Sequence, residues 1–307
     1  MPVRVDAASF APVLPVLLDL FGVVAPVFVV AGIGFGWVKL GGRFDHDATS
    51  RMVLQIGVPA MVFHSLVRLT VPADVLLHMA GLATAAMAGF ALLGYGLLRT
   101  LKLPAHTYLG PLVFSNSGNV GLPVCLFAFG ERGLALAMAY FAVSSTAHVV
   151  LGGPLFAGKF SLEPLVRSPL TWTVVLTVLL LWLRVPIPEW VLKSTKLLGD
   201  FAIPLMLLTL GASLSTMHAS SLGRALVLSC ARLLIGATVG LGLCAALGVT
   251  GLTRKVLVLE SAMPVGVLNY LFAQRYARSP GQVAGVVLVS TLMSVLSIPA
   301  LLYLLER

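Results

Sequence analysis

Ten apolar runs, each about 20 residues long, constrain the fold of this chain more than any other feature. Hydrophobic residues make up 59% of the 307 residues and charged residues only 10%, whereas soluble domains carry about 25% charged residues. Inside a bilayer every backbone N–H and C=O must find a partner within the protein, which helices provide. The sequence therefore predicts an all-α polytopic membrane protein with no room for a soluble catalytic domain.

The apolar runs divide into two sets of five. We number them spans 1 to 10, at about residues 18–38, 52–67, 75–98, 108–129, 134–156, 170–183, 197–214, 225–247, 256–276 and 283–305. The halves are residues 1–156 and 169–307, joined by a polar loop at 157–168. Because five is odd, the second half enters the membrane from the opposite side, which predicts an inverted repeat of the kind found in transporters. Near-equal spacing of Pro59 and Pro123, and of Pro204 and Pro264, favours this division.

Span 4 contains the stretch Ser-Asn-Ser-Gly-Asn-Val-Gly-Leu-Pro at residues 115–123. Pro123 has no N–H, so the carbonyl of Asn119 loses its helical partner, and two glycines let the backbone leave helical angles. A freed peptide group in hydrocarbon costs several kcal/mol unless protein, water or a ligand satisfies it. This stretch predicts a broken helix that lines a binding cavity. The alternative is a proline kink packed on neighbouring helices.

Several further polar side chains lie inside apolar runs, where they are expensive. In span 9, Glu260 precedes Pro264 by four residues, so a carboxylate and a freed carbonyl coincide, which suits Na⁺; burial also favours a protonated carboxyl, which suits H⁺ carriage. The alternative is a pair with Arg254 or Lys255. Arg232 is expected either to meet an acid or an anionic substrate or to extend to the interface. Ser290 and its neighbours on span 10 are interpreted as helix-packing groups, and His148 as an interior side chain or a proton relay.

Other classes of protein fit poorly. The formal net charge of +9 is spread over loops, which does not indicate nucleic-acid binding, and the 3 cysteines lack metal-ligand spacing. No HExxH, CxxC, GxSxG or phosphate-binding glycine motif is present, so we expect no enzyme. In the first half, Lys and Arg on the side of the span 1–2, 3–4 and 5–6 loops outnumber those on the other side by seven to three, which favours periplasmic termini.

Four stretches carry a family resemblance: residues 54–63, 115–123, 197–214 and 262–280. Together they resemble the auxin efflux carrier family, the bacterial relatives of the plant PIN carriers. The resemblance covers the whole chain and implies ten spans in two inverted five-helix repeats, broken crossover helices in spans 4 and 9, a scaffold and a transport domain, and an organic-anion substrate such as auxin or a dicarboxylate. The fold also resembles, more distantly, that of bile acid:sodium symporters.

These features lead to residue predictions. Asn116, Asn119 and Pro123 match the family's span 4 motif, and Pro264 its span 9 crossover. The predicted substrate-binding residues are Asn116, Ser117, Asn119, Gly121, Pro123, Pro264, Val265 and Asn269. By analogy with the symporters, a coupling ion, Na⁺ or H⁺, is placed at Ser115, Asn116, Thr146 and Glu260.

The function expected from the sequence is secondary active transport of a small carboxylate across a bacterial inner membrane, by an elevator-type alternating-access mechanism. Sodium-coupled symport of a larger organic anion and a passive anion channel remain as alternatives. We expect no cofactor other than Na⁺ or H⁺ as coupling ion, no nucleic-acid partner, contact with the lipid bilayer and a homodimer as an open alternative to a monomer.

Overall fold

The computed structural model describes residues 13–68, 72–152, 155 and 168–306, and this part of the chain is helical, without β-strands. The predicted loop at 157–168 lies outside the described residues except for Ser168. The helices are α1 Val13–Lys39, α2 His46–Met52, α3 Val58–Arg68, α4 Ala73–Thr100, α5 Ala105–Val113, α6 Leu122–Ala147, α7 Pro169–Trp182, α8 Glu189–Thr216, α9 Leu222–Leu247, α10 Gly251–Ser261, α11 Leu268–Arg275 and α12 Pro280–Glu306.

Within the described residues, 6 helical segments are long and apolar enough to cross a membrane. One of them, Ser117–Gly152, is 36 residues long and bends at Gly130, whose φ of 64° is not helical. The bend separates the runs predicted as spans 4 and 5. The chain is therefore a multi-pass all-α membrane protein, as predicted, whereas the ten-span inverted repeat is not established by these segments.

The helices pack as two bundles. The first bundle consists of α1, α2, α3, α7 and α8, and the second of α4, α5, α6, α9, α10, α11 and α12. Glycines bring the backbones together inside each bundle: a Cβ on Gly34 of α1 would lie 2.2 Å from the Leu208 carbonyl oxygen of α8, and a Cβ on Gly236 of α9 would lie 2.1 Å from that of Ser261 on α10. Small residues allow this approach where lipid gives helices no hydrophobic reason to associate.

Three turns of π-helix interrupt the α-helical pattern of the described chain. They span Val53–Gly57 before α3, Ser117–Gly121 before α6 and His148–Gly152 after it. A π turn holds one residue more than an α turn and is found frequently at functional sites. All three occur beside the cavity described below.

Candidate functional site

Two helices of the second bundle are interrupted, and the interruptions meet. The chain leaves helical geometry between α5 and the π turn that begins at Ser117, and again between α10 and α11. The N–H of Asn116 donates to the carbonyl of Pro264 at 2.7 Å, and the N–H of Gly266 donates to the carbonyl of Phe114 at 3.0 Å. These two bonds form an antiparallel bridge between Ser115 and Val265. The breaks predicted in spans 4 and 9 are confirmed, and they satisfy each other's backbone.

Side chains reinforce the crossing. The amide of Asn269 donates to the carbonyls of Phe114 at 3.0 Å and Gly266 at 2.9 Å. The N–H of Val265 donates to the hydroxyl of Ser290 on α12 at 3.1 Å. Asn269 and Ser290 are completely buried. Ser290 is therefore more than the helix-packing group that the sequence indicated, because it satisfies a peptide group freed by the break.

The prolines do not occupy matched places in the two breaks. Pro123 lies in the first turn of α6, beyond the π turn, whereas Pro264 lies within the second break itself. The local roles of the two prolines therefore differ, since Pro123 lies at the start of a helix and Pro264 lies in a break. The residues that face each other across the crossing are Ser115 and Val265.

A cavity of about 730 Å³ lies between the two bundles, beside the crossing. The second bundle contributes the broken segments, the end of α6 and α11, and the first contributes α2, the turn before α3 and α8. Its lining includes Ser115, Asn116, Ser117, Gly118, Asn119, Ser144, Thr146, His148, Gly266, Val267, Tyr270 and Gln274 on one wall, and His46, Asp47, Arg51, Leu54, Val58, Met206, Thr209 and Ser213 on the other. Among the described lining residues, Arg51 alone carries a permanent positive charge.

The predicted site residues divide into two groups. Ser115, Asn116, Ser117, Asn119 and Thr146 line the cavity. The structure does not bring Gly121, Pro123, Pro264, Val265, Asn269 or Glu260 to the described cavity wall. The first group can touch a solute directly, while the second can act only through the backbone that it shapes.

Unpartnered polar groups mark the cavity wall. The hydroxyl of Ser115, the side-chain amide nitrogen of Asn116 and Nε2 of His148 are buried and make no hydrogen bond. The His148 ring stacks on Phe114, with ring centroids 4.2 Å apart. Buried polar atoms in native proteins nearly always have a partner. These three atoms therefore have hydrogen-bonding capacity for water or a solute.

The second halves of the broken helices begin at the cavity. The N-terminal residues Ser117, Gly118 and Asn119 on one segment and Val267 and Leu268 on the other line it. The first N–H groups of a helix have no acceptor within that helix and carry a partial positive charge. The cavity therefore receives two such helix starts at one place, a suitable environment for an anion.

Glu260 lies behind the crossing and is completely buried. Its carboxylate accepts a hydrogen bond from the thiol of Cys125 at 3.6 Å, and a Cβ on Gly121 would lie 2.4 Å from Oε2. Neither basic residue named as its alternative partner forms an ion pair with it in the described chain: Lys255 pairs with Glu306 at 3.5 Å, and Arg254 is exposed. Its own carbonyl is not freed by Pro264 as expected, because the N–H of Met263 donates to it at 3.4 Å. Within the described chain, no hydrogen bond or ion pair joins the Glu260 carboxylate to Ser115, Asn116 or Thr146.

Sequence reasoning missed the wall contributed by the first bundle. Thr209, Ser213 and Thr216 on α8 line the cavity at positions spaced four and three residues apart, on one face of the helix. That spacing was a usable signal in an otherwise apolar run. Val58 and Met206 gave none, because an apolar side chain that faces a cavity resembles one that faces lipid.

A multi-pass helical chain with a partly polar cavity between two bundles and broken helices at its wall has the features of a membrane transport protein. A family model described as "Membrane transport protein" matches residues 19–160 and 154–302. The chain belongs to this family, the auxin efflux carrier family, which confirms the resemblance seen in the sequence.

Two archaeal proteins are similar to this chain. An uncharacterized transporter of Methanothermobacter thermautotrophicus is 29% identical over 292 residues, which cover 90% of this chain and 95% of that protein. An uncharacterized transporter of Methanocaldococcus jannaschii is 28% identical over 197 residues, 61% of this chain and 64% of that protein.

Proposed function

We propose that this protein is a secondary active transporter of a small organic anion, an auxin-like carboxylate or a dicarboxylate. The observation that carries the proposal is the crossing of two broken helices at the wall of a large cavity. A carboxylate there accepts hydrogen bonds from the free N–H groups at the two helix starts and from the unpartnered side chain of Asn116. Each helix start favours an anion by roughly 0.3–1 kcal/mol, and up to about 2 kcal/mol where solvent is excluded.

The same arrangement favours release. No Lys or Arg lies at the crossing itself, and Arg51, the cationic lining residue of the described chain, is exposed on the short helix α2. Dipoles and neutral amides hold a carboxylate less tightly than a buried guanidinium pair, for which removal of one charge costs several kcal/mol. A carrier needs this moderate affinity because it must discharge its substrate in every cycle.

We assign positioning roles to the residues that lie behind the cavity wall. Pro264, Val265 and Asn269 hold the second break against the first through the backbone contacts described above. Gly121 lets Glu260 approach the π turn, and Pro123 begins α6. A change at any of them acts on substrate by moving the N–H groups that face the cavity.

For the movement we propose an elevator-type mechanism, in which the second bundle is the transport domain and slides against the first as scaffold. Two observations support this. The close glycine contacts between Gly34 and Leu208 and between Gly236 and Ser261 lie within bundles and not between them. The packing also pairs α1 with α8, and α7 with α3, the relation expected of an inverted repeat of ten spans.

The proposed setting is a cell inner membrane, with both termini periplasmic. The cavity lining extends to Thr216 and Gln274, near the C-terminal ends of α8 and α11, and we place the opening there. With that orientation the opening is cytoplasmic, so the bundles have the inward-facing arrangement. A crevice of about 670 Å³ between α3, α6 and α8 lies on the opposite side.

Counterflow in proteoliposomes tests the proposal. We expect wild-type protein, loaded with an unlabelled carboxylate, to accumulate the same labelled carboxylate with saturable kinetics. Asn116→Ala removes an unpartnered amide at the wall, and loss of a hydrogen bond to a charged group should lower kcat/KM by roughly 10- to 100-fold. Thr195→Ala is the control, because that hydroxyl bonds only to its own helix backbone at Val191 and Leu192.

Two results would count against the proposal. Transport by Asn116→Ala equal to that of wild type would remove the assignment of the anion site. Continuous single-channel current without counterflow would show a passive pore instead of a carrier.

A further inference from the structure

The imidazole of His148, directly after α6, is a polar group that the proposed function leaves without a role. His148 lines the cavity, its side chain is buried, and its Nε2 makes no hydrogen bond. Buried polar atoms in native proteins nearly always have a partner. An interior side chain, one of the two interpretations from the sequence, accounts for the burial but not for a free ring nitrogen at a cavity wall. The role of His148 has to be found in the surroundings of the ring.

Aromatic contacts fix the imidazole between the two broken helices. The ring stacks on Phe114, with centroids 4.2 Å apart and planes inclined by 8°, and it meets Phe272 edge-on, with centroids 5.5 Å apart. Phe114 directly follows α5 at the first break, and Phe272 lies on α11 after the second. A Cβ on Gly152 would lie 2.9 Å from Cδ2 of the ring. The ring is thus held on three sides, and its Nε2 has a defined position.

The ring lies on the same side of the first break as the amide of Asn116. The backbone at Phe114 is extended, with φ −96° and ψ 105°, and Ser115 forms the bridge to Val265. Side chains two residues apart in extended backbone project to the same side. Asn116 therefore projects to the side on which the imidazole stacks. His148 and Asn116 both line the cavity, whereas Phe114 is not among the described lining residues.

The backbone at His148 also departs from a regular helix. His148 begins the third π turn, His148–Gly152, and its N–H is shared between the carbonyls of Ser144 and Ser145. Turns of π-helix occur frequently at functional sites. The change of helix geometry therefore coincides with the residue whose ring nitrogen is free.

No group of the described chain uses the free nitrogen. Asn269, which bonds to both breaks, interacts electrostatically with the imidazole, yet neither its Oδ1 nor Nε2 of His148 makes a hydrogen bond. Within the described residues no ion pair includes His148. A hydrogen-bonding position next to Asn116 is therefore left for a group from the cavity.

We propose that His148 is a substrate-binding residue, which donates from Nε2 to one oxygen of the carboxylate while Asn116 donates to the other. This inference rests on the proposed function. A carboxylate has two oxygens and only accepts hydrogen bonds, and both the Nε2–H tautomer and the imidazolium donate from this atom. A carboxamide of the same shape has only one acceptor oxygen, so its NH₂ group would meet a donor. The pair thereby selects an acid over its amide.

Two substitutions of His148 separate the donor from the stacked ring. The probes are phenylacetate, an aromatic monocarboxylate, and malonate, a dicarboxylate, both in counterflow. His148→Phe keeps an aromatic ring between Phe114 and Phe272 but removes the donor, so the Tm should stay close to that of wild type while kcat/KM falls roughly 10- to 100-fold. His148→Gln loses the stack but returns an amide N–H near Nε2, and it should recover most of kcat/KM.

A purely structural role of the ring predicts the reverse order, with His148→Phe close to wild type and His148→Gln impaired, and that order would overturn the proposal. The matched control is His106→Phe, the same substitution at an exposed position of α5 outside the described cavity lining. It should leave kcat/KM unchanged.

Nitrogen NMR of protein labelled with ¹⁵N-histidine gives a second readout, which needs no transport. The Nε2 resonance of His148 is assigned by its absence from His148→Phe, or from His148→Gln if the first variant does not fold. Saturating phenylacetate or malonate should shift this resonance, and phenylacetamide should not. A resonance that stays in place under a probe that wild-type protein transports would refute direct contact.

The two readouts separate the two hypotheses. If wild-type counterflow is robust but the Nε2 resonance and the kcat/KM of His148→Phe are unchanged, the transporter stands and the role of His148 fails. If a probe shifts the resonance but neither probe shows counterflow, the binding role stands and the proposed transport fails. If neither probe is transported or shifts the resonance, both proposals fail.

Discussion

At the scale of single residues, this protein relies on contacts that no substitution can reproduce easily. Gly121 leaves room for the Glu260 carboxylate, and Asn269 bonds to both broken segments. These residues matter because they hold the broken segments in place, and not because they contact a solute. Side-chain substitutions at these positions therefore affect stability and transport together.

Gly121→Ala should destabilise the protein, because the added Cβ would lie 2.4 and 2.6 Å from the two carboxylate oxygens of Glu260. Overpacking of this kind costs roughly 1–3 kcal/mol, to be measured as a fall in Tm. Gly81→Ala on α4 is the control, since a Cβ there meets nothing within 4 Å, and it should be neutral or slightly stabilising. An unchanged Tm for Gly121→Ala would mean that Glu260 does not occupy this space.

Asn269→Leu keeps the size of the side chain but removes the donor to the carbonyls of Phe114 and Gly266. Each carbonyl loses one of two donors, since the backbone N–H groups of Gly266 and Asn269 still bond to them, and a lost hydrogen bond costs about 0.5–1.5 kcal/mol. We expect a marked loss of thermal stability in detergent and of counterflow. Gln274→Leu on the same helix α11 removes an exposed amide that bonds to Tyr270, and its Tm should stay close to that of wild type. Equal Tm values for the two variants would contradict the bridging role of Asn269.

At the scale of elements, α1 is suited to close packing against α8 on one face only. Gly32, Gly34 and Gly36 alternate along it, yet only Gly34 contacts α8. Gly211 of α8 approaches the backbone carbonyl of Ala31 on α1 in the same way. The first bundle is thus fixed along one line of small residues.

Substitution of these three glycines by alanine gives an internal comparison. Gly34→Ala should separate α1 from α8 and lower the Tm, because the new Cβ would lie 2.2 Å from a backbone oxygen that cannot move alone. Gly32→Ala and Gly36→Ala meet nothing within 4 Å and should stabilise the helix by up to about 1 kcal/mol. A uniform response across the three positions would show that α1 and α8 are not in close contact.

At the scale of the whole molecule, the two bundles meet around the cavity on one side and the charged crevice on the other. Glu131, beside the bend of α6, and Lys196, on α8, line that crevice from opposite bundles. If the bundles slide against each other, a covalent link across the crevice should hold the carrier in one state.

A reducible crosslink between Glu131→Cys and Lys196→Cys should stop counterflow, and reduction should restore it. Cys230 is replaced by Ala in this background, while the buried Cys125 and Cys244 are retained. The control pair is Arg68→Cys with Glu189→Cys, which replaces an ion pair of 2.7 Å within the first bundle. That crosslink should leave transport intact. Full activity of both linked proteins would exclude sliding between the bundles.

Only part of this architecture could be predicted from the sequence. The break in span 4 was predictable, because Ser, Asn and Gly cluster where an apolar helix should continue. A break in span 9 was expected from Pro264 and the family resemblance, but the pairing of Ser115 with Val265 was not predictable, because backbone atoms make that bridge and leave no side-chain pattern. The contact of Arg232 with the Ser261 carbonyl was hidden for the same reason. The two prolines alone did not locate the crossing, because proline occurs both at a helix start and in a break.

The three π turns affect how mutations can alter the lining of the cavity. Each contributes wall residues to the cavity: Val53 and Leu54, Ser117 and Asn119, and His148 and Val150. Because a π turn accommodates one extra residue locally, loss of that residue lets the turn close to an α turn while the following helix keeps its orientation. Single-codon deletions at three places would therefore exchange the side chains presented to a solute while the bundles stay folded, which offers this scaffold a short mutational route to new specificities.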